Sequence, residues 1–146
     1  MNITIITIGK KTEQNLADSI KTYSDRISRY TPVSWILIPS EDKTSEGAAI
    51  LKKINKGDFV VALDDKGKEM STPDLASFID KRMVSGDKNL VFVIGGAYGL
   101  DMAVVERANF VWSLSRLTFP HQLVRLILSE TLYRAISVIK NEPYHH

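Results

Sequence analysis

The tightest constraint on this chain is a rhythm. Short apolar runs, each the length of a buried strand, alternate with segments of helical period from one end to the other. Asn2–Ile8, Val33–Ile38, Phe59–Leu63, Leu90–Ile94 and Phe110–Leu114 are the runs. They are nearly continuous in apolar character rather than alternating, which is the mark of strands covered on both faces. Strands joined by helices form a parallel sheet through right-handed crossovers. The expectation is one Rossmann-like, three-layer α/β domain over residues 1–146. Chain order alone leaves the spatial order of the strands open.

The helical segments are legible in the same way. Leu16, Ile20, Tyr23, Ile27 and Tyr30 form one stripe and predict a helix from about Glu13 to Tyr30. Its other faces carry Lys21, Arg26 and Arg29, read as a solvated face rather than a phosphate patch. A second helix is expected from about Ser45 to Asn55. A third should start at Thr72-Pro73-Asp74, with threonine as the cap, and stop at Gly86. Asp64 to Lys68 reads as a turn, and Asp101 as the cap of a short helix over Met102–Ala108. The last helix should begin at Pro120 and run to about Lys140. Its apolar residues occupy more than one face, so burial on two sides is expected, the second against another protomer.

Composition removes several function classes. There is no cysteine, which excludes disulfides, thiolate metal sites and cysteine nucleophiles. No His/Asp/Glu group has metal-ligand spacing, so no metal is expected. No stretch approaches the roughly 20 apolar residues of a membrane span. The opening MNITIITIGKK lacks a leading basic region and reads as a first strand rather than a secretory signal. A net charge of +2 permits an RNA partner without demanding one.

In an open α/β sheet, ligands sit outside the carboxyl ends of the strands. Two ends stand out. Leu90–Ile94 releases into Gly95-Gly96-Ala97-Tyr98-Gly99, and Phe110–Leu114 into Ser115-Arg116-Leu117-Thr118-Phe119-Pro120-His121. If they lie side by side, they form one crevice. The glycine segment is neither a dinucleotide fingerprint nor a phosphate loop. The hydroxyls of Ser113, Ser115 and Thr118 either satisfy their own loop or meet a flat polar edge such as adenine. His121 and Arg125 share a helix face at i,i+4 and can orient a ligand or bind phosphate. Glu130 and Arg134, at the same spacing, read as a helix salt bridge.

IGGAYGL, then SLSRLTFPHQLVRLILSETLYRA, then the ending NEPYHH resemble the ribosomal large-subunit pseudouridine methyltransferase H family, small SPOUT (α/β-knot) enzymes. LDDKGK at Leu63–Lys68 belongs to the same resemblance, which spans essentially the whole chain. It implies a cytoplasmic homodimer with a C-terminal trefoil knot. The implied reaction moves a methyl group from S-adenosylmethionine to N3 of a pseudouridine in large-subunit (23S-type) rRNA, on the assembled ribosome. It also implies a cofactor pocket at Leu63, Gly95, Leu114, Ser115, Arg116, Leu117, Thr118 and Phe119. His121, Arg125, Tyr144 and His145 match positions near the reacting methyl or the RNA, and one chain's tail is expected at the other's cofactor. His145 is the candidate general base, since imidazole titrates near neutral pH, and Arg125 the candidate holder of a phosphate or base carbonyl. His146 stands where the family's tail commonly has a basic residue. The rival readings are a knotted methyltransferase acting on another RNA such as tRNA, and a non-catalytic ribosome-binding module of the same fold. A nicotinamide-dependent oxidoreductase is disfavoured by the missing fingerprint.

Overall fold

A computed structural model of the chain describes residues 1–9 and 11–146. Five strands, β1 (Asn2–Ile8), β2 (Val33–Ile38), β3 (Phe59–Lys68), β4 (Asn89–Ile94) and β5 (Phe110–Trp112), pair in parallel in the order β2-β1-β4-β3-β5. The helices are α1 (Gln14–Ser28), α2 (Lys43–Lys52), α3 (Thr72–Val84), α4 (Met102–Arg107) and α5 (His121–Ile139). Successive side chains of a strand point to opposite faces. In β1, Ile3 and Ile5 therefore join the core shared with Leu75, Ile79, Leu128 and Leu132, while Ile6 and Ile8 join the one shared with Ile50, Leu100 and Val104. Helices α1, α3 and α5 thus cover one face of the sheet, and α2 and α4 the other. This is the expected three-layer domain.

Three local readings are corrected. The segment Asp64–Lys68 is part of β3 rather than a separate turn: Leu63 and Lys68 both pair with Trp112, so the residues between them bulge out of the ladder. The return is possible because Gly67 lies on the backbone of β5, where a Cβ would come within 2.6 Å of the Val111 carbonyl carbon. The cap of α3 is Ser71, not Thr72. Ser71 Oγ accepts from the Asp74 N–H, and the Asp74 carboxylate accepts from the Ser71 N–H, a complete capping box. Asp101 does precede α4, but its side chain makes no cap bond; it rests against Gly47 of α2 instead.

The last helix is packed on more than one side, as expected, and its neighbours in this chain are α1, α3 and the sheet. Leu128, Leu132, Ala135 and Ile136 are fully buried among them. Leu132→Ala should therefore lower stability by about 2–5 kcal/mol in urea denaturation, because both transfer energy and packing are lost. A loss below about 1 kcal/mol would show that this site is not close-packed.

Helix α2 carries a pH-sensitive cap. The Asp42 carboxylate accepts from the Ser45 hydroxyl at 2.7 Å and from the Ser45 N–H at 2.9 Å. Those bonds, the hydroxyl first, hold its pKa below the usual aspartate value. A depressed folded-state pKa gives stability that is present above the unfolded value and lost as pH falls through the folded one. Asp42→Ala should lower the melting temperature at pH 7 and have a smaller effect at about pH 3. An effect that does not shrink in acid would contradict the cap.

Candidate functional site

The two loops picked out in the sequence do meet, with one more strand involved. β3 lies between β4 and β5, so three strand ends open into the same space. The result is a cavity of about 570 Å³, within the size range of small-molecule sites. Leu63, Asp64 and Asp65 wall it from β3. Gly95 to Leu100 form a second wall. Leu114, Ser115, Leu117, Thr118 and Phe119 form the third, and His121 and Val124 of α5 complete it.

Each wall has a local cause. After β4, the Gly99 N–H donates to the Gly96 carbonyl at 3.1 Å, closing a turn with Ala97 and Tyr98 at its corners. Gly99 sits at φ +82°, where a side chain would be strained. The turn folds back so closely that a Cβ on Gly95 would stand 2.8 Å from the Gly99 carbonyl carbon. In the 114–120 loop, Ser113 Oγ donates to the Ser115 carbonyl at 2.9 Å, and Ser115 Oγ accepts from the Leu117 N–H at 3.0 Å. Both serines therefore hold their own loop in shape. A ligand edge would meet what that shape presents rather than these two hydroxyls.

Of the expected pocket residues, Leu63, Gly95, Leu114, Ser115, Leu117, Thr118 and Phe119 line the cavity. Arg116 does not. It is 91% exposed and forms an ion pair with Glu69 at 3.1 Å, in a second depression edged also by Asp65, Lys66 and Lys68. The acidic pair Asp64 and Asp65 was not read as part of the site. Its signal was there: two carboxylates placed directly after a buried strand, where ligands bind. Besides Tyr98, the ionisable side chains lining the cavity among the described residues are Asp64, Asp65 and His121, so its fixed charge is negative.

Arg125 is corrected. It lies one turn below His121 and is fully buried. Its Nη1 donates to Thr12 Oγ1 at 3.1 Å and its Nη2 to the Ile8 carbonyl at 3.3 Å. Gln122 Oε1 accepts from the Glu13 N–H at 3.1 Å. The first turn of α5 therefore clamps the connection between β1 and α1. Burial lowers the Arg125 pKa, with Glu13 opposing the shift, and an arginine remains charged regardless. Within this chain its guanidinium meets the Ile8 carbonyl and the Thr12 hydroxyl, and it does not line the cavity.

The tail lies elsewhere. Tyr144 donates to Glu130 at 3.1 Å, lies 3.4 Å from the Tyr23 hydroxyl and packs edge-on against Tyr133 at 4.7 Å between ring centroids. Arg134 stacks over its ring at 4.8 Å and approaches His145 Nδ1 at 3.5 Å. The expected Glu130–Arg134 pair is present at 2.5 Å. Burial pushes the Tyr144 phenol up, reinforced by Tyr23 and Glu130. Residues 130–134 stand roughly 14–20 Å along the helix from His121, at 1.5 Å per residue. Tyr144 and His145 therefore do not join His121 at the cavity of their own chain.

The family model described as "Predicted SPOUT methyltransferase" matches residues 1–145. The chain belongs to the SPOUT methyltransferase family. Its relatives include a ribosomal RNA large subunit methyltransferase H from Christiangramia forsetii, 44% identical over 100% of this chain and 99% of the relative. Another of that name, from Clostridium beijerinckii, is 41% identical over 99% of both. Among solved structures, a probable methylase family protein from Haemophilus influenzae Rd KW20 shares the fold, with a TM-score of 0.54 at 15% identity. That match covers 96% of this chain and 66% of the other.

For this SPOUT methyltransferase, Arg125→Ala should cost about 2–4 kcal/mol of stability in urea denaturation, since a buried charged clamp is lost. Hydrogen exchange should rise first at Thr12 and Glu13. Unchanged stability would return Arg125 to the role of a ligand-binding residue.

Proposed function

We propose that this chain is an S-adenosylmethionine-dependent methyltransferase acting on N3 of a pseudouridine in large-subunit rRNA, in the assembled ribosome and hence in the cytoplasm, as a homodimer. The observation that carries the reading is the charge of the cavity. Three parallel strand ends enclose a ligand-sized space whose fixed charges are two carboxylates. Such a wall suits a ligand bearing a sulfonium and an ammonium, and repels the pyrophosphate of a dinucleotide. The names of the full-length relatives support the rRNA substrate, and the family resemblance supports the pseudouridine nitrogen.

When bound, S-adenosylmethionine supplies an activated methyl group. The residues of the chain have three tasks. Leu63, Leu114 and Phe119 give apolar walls for an adenosine, and the turn at Gly95 lets backbone come close to it. Asp64 and Asp65 favour the cationic end. His121, at the start of α5, faces the space where a base must arrive. Positioning of this kind lowers the barrier because both reactants are held in line before transfer. The N3 proton of the base must leave before or during attack, and a neutral imidazole can accept it. His145 of the same chain lies at Arg134, which supports a tail imidazole contributed by a second protomer. Leu123, Leu126 and Ile127 of α5 remain partly exposed, which supports a partner on that helix. The trefoil knot rests on the family resemblance.

The test is transfer of labelled methyl from S-adenosylmethionine into ribosomes lacking the modification, with the product nucleoside identified by mass spectrometry. Labelled methylpseudouridine from large-subunit RNA is expected, with free rRNA the poorer substrate. His145→Ala should slow transfer by about a hundredfold or more while cofactor affinity holds, the usual scale of a lost general base. Label in tRNA alone would move the substrate to another RNA. Absence of both label and cofactor binding would leave a ribosome-binding module.

A further inference from the structure

Tyr98 stands out once the core is accounted for. It is 88% exposed, and among the described residues no other aromatic is more than half exposed. The next, Tyr30, is 37% exposed and donates its hydroxyl to Glu142 at 2.9 Å. Tyr98 is also not on a loose loop. It occupies a corner of the turn closed by Gly96 and Gly99, directly after the buried strand β4, and it lines the cavity. Leu117 lines the same cavity from the opposite loop and is 70% exposed. The cavity is therefore rimmed by an aromatic ring and an aliphatic side chain, both held on short connections and both in water.

Outside this rim the depression carries Lys66, Lys68 and Arg116 against Asp65 and Glu69, an excess of one positive charge, with Arg116 paired to Glu69. Lys66 and Lys68 are exposed on the β3 bulge, and Arg116 is 91% exposed beside them. Their depression shares Asp65 with the cavity, so the two adjoin at that residue. An apolar rim next to exposed cations fits a nucleotide better than a protein partner: a flat base for the ring, and backbone phosphates for the cations. An enzyme that acts on a base must also draw it from its stack, and the lost stacking has to be replaced.

Resting on the RNA-methyltransferase reading above, we infer that Tyr98 is a base-stacking residue, its ring receiving a base of the substrate RNA at the mouth of the cavity. Leu117 packs against the other side of that base, and Lys66, Lys68 and Arg116 take the flanking phosphates. The hydroxyl of Tyr98 is not needed for this role, only its ring.

The experiment compares wild type, Tyr98→Phe and Tyr98→Ala in steady-state methyl transfer to ribosomes lacking the modification. Cofactor affinity is measured by calorimetry and oligomeric state by sedimentation. Tyr98→Ala should reduce kcat/KM for the ribosome by roughly tenfold or more, the scale of one lost base–aromatic stack. Tyr98→Phe should stay within about twofold of wild type, as the ring alone carries the stack. Cofactor affinity and assembly should not change. If Tyr98→Ala leaves kcat/KM unmoved, the inference fails. An equal loss of cofactor affinity would make Tyr98 a cofactor wall, and a shift to monomer would make it a subunit contact; either overturns the assignment. A wild-type protein that methylates no RNA would instead overturn the function on which it rests.

Discussion

The seating of α5 is the constraint on which the rest of the molecule depends. Burial of Leu128, Leu132, Ala135 and Ile136 fixes the helix over the sheet, between α1 and α3. Once the helix is fixed, its first turn is fixed too. That turn carries His121 into the cavity, and Gln122 and Arg125 onto the connection after β1. The same seating ties down the far end of the loop from Ser113 to Pro120. A loop anchored at β5 on one side and at a buried helix on the other can keep a binding shape with two serine hydrogen bonds. Arg125 deep in this arrangement is the kind of buried charge whose removal leaves the Ile8 carbonyl and the Thr12 hydroxyl without their donor.

The site follows from topology. Because β4, β3 and β5 are neighbours, three connections converge at one edge, and each contributes a different chemistry. The β4 turn brings bare backbone, β3 brings two carboxylates, and the β5 loop brings apolar surface. On the proposed reading, Asp64 and Asp65 at the cavity take a cationic small molecule, and Lys66, Lys68 and Arg116 just outside it take a polyanion. A methyltransferase of the SPOUT family working on RNA needs both, close together and electrostatically distinct.

Much of this was readable in the chain, and the failures have physical causes. Strand positions were clear because buried parallel strands are apolar without interruption. Their spatial order was not, because periodicity carries no information on which strands pair; hence β3 was not foreseen between the two loops. The β3 bulge was taken for a turn because Asp64 to Lys68 has turn composition, and only the close approach of Gly67 to Val111 lets it rejoin the sheet. Ser71 lost out to Thr72 because both suit a cap and the choice rests on the reciprocal bond with Asp74. Gly95 and the 114–119 loop stand out as strand ends with glycine or a polar loop, where ligands bind, whereas Leu63 is reached only through the family resemblance. An arginine one turn from a histidine looks the same in sequence whether it faces a ligand or, like Arg125, the interior. The resemblance puts one chain's tail at the other's cofactor; the contacts of Tyr144 with Tyr23 and Glu130, and of His145 with Arg134, are not legible in any pattern.

The central claim is that the joined ends of β3, β4 and β5 form the methyl-donor site. Hydrogen exchange of the whole protein with and without S-adenosylmethionine tests it directly. The account predicts that added protection concentrates at residues 63–65, 95–100 and 114–121, with little change along α2 or at the amino ends of the strands. Protection confined to another surface, or none at a saturating concentration, would contradict it.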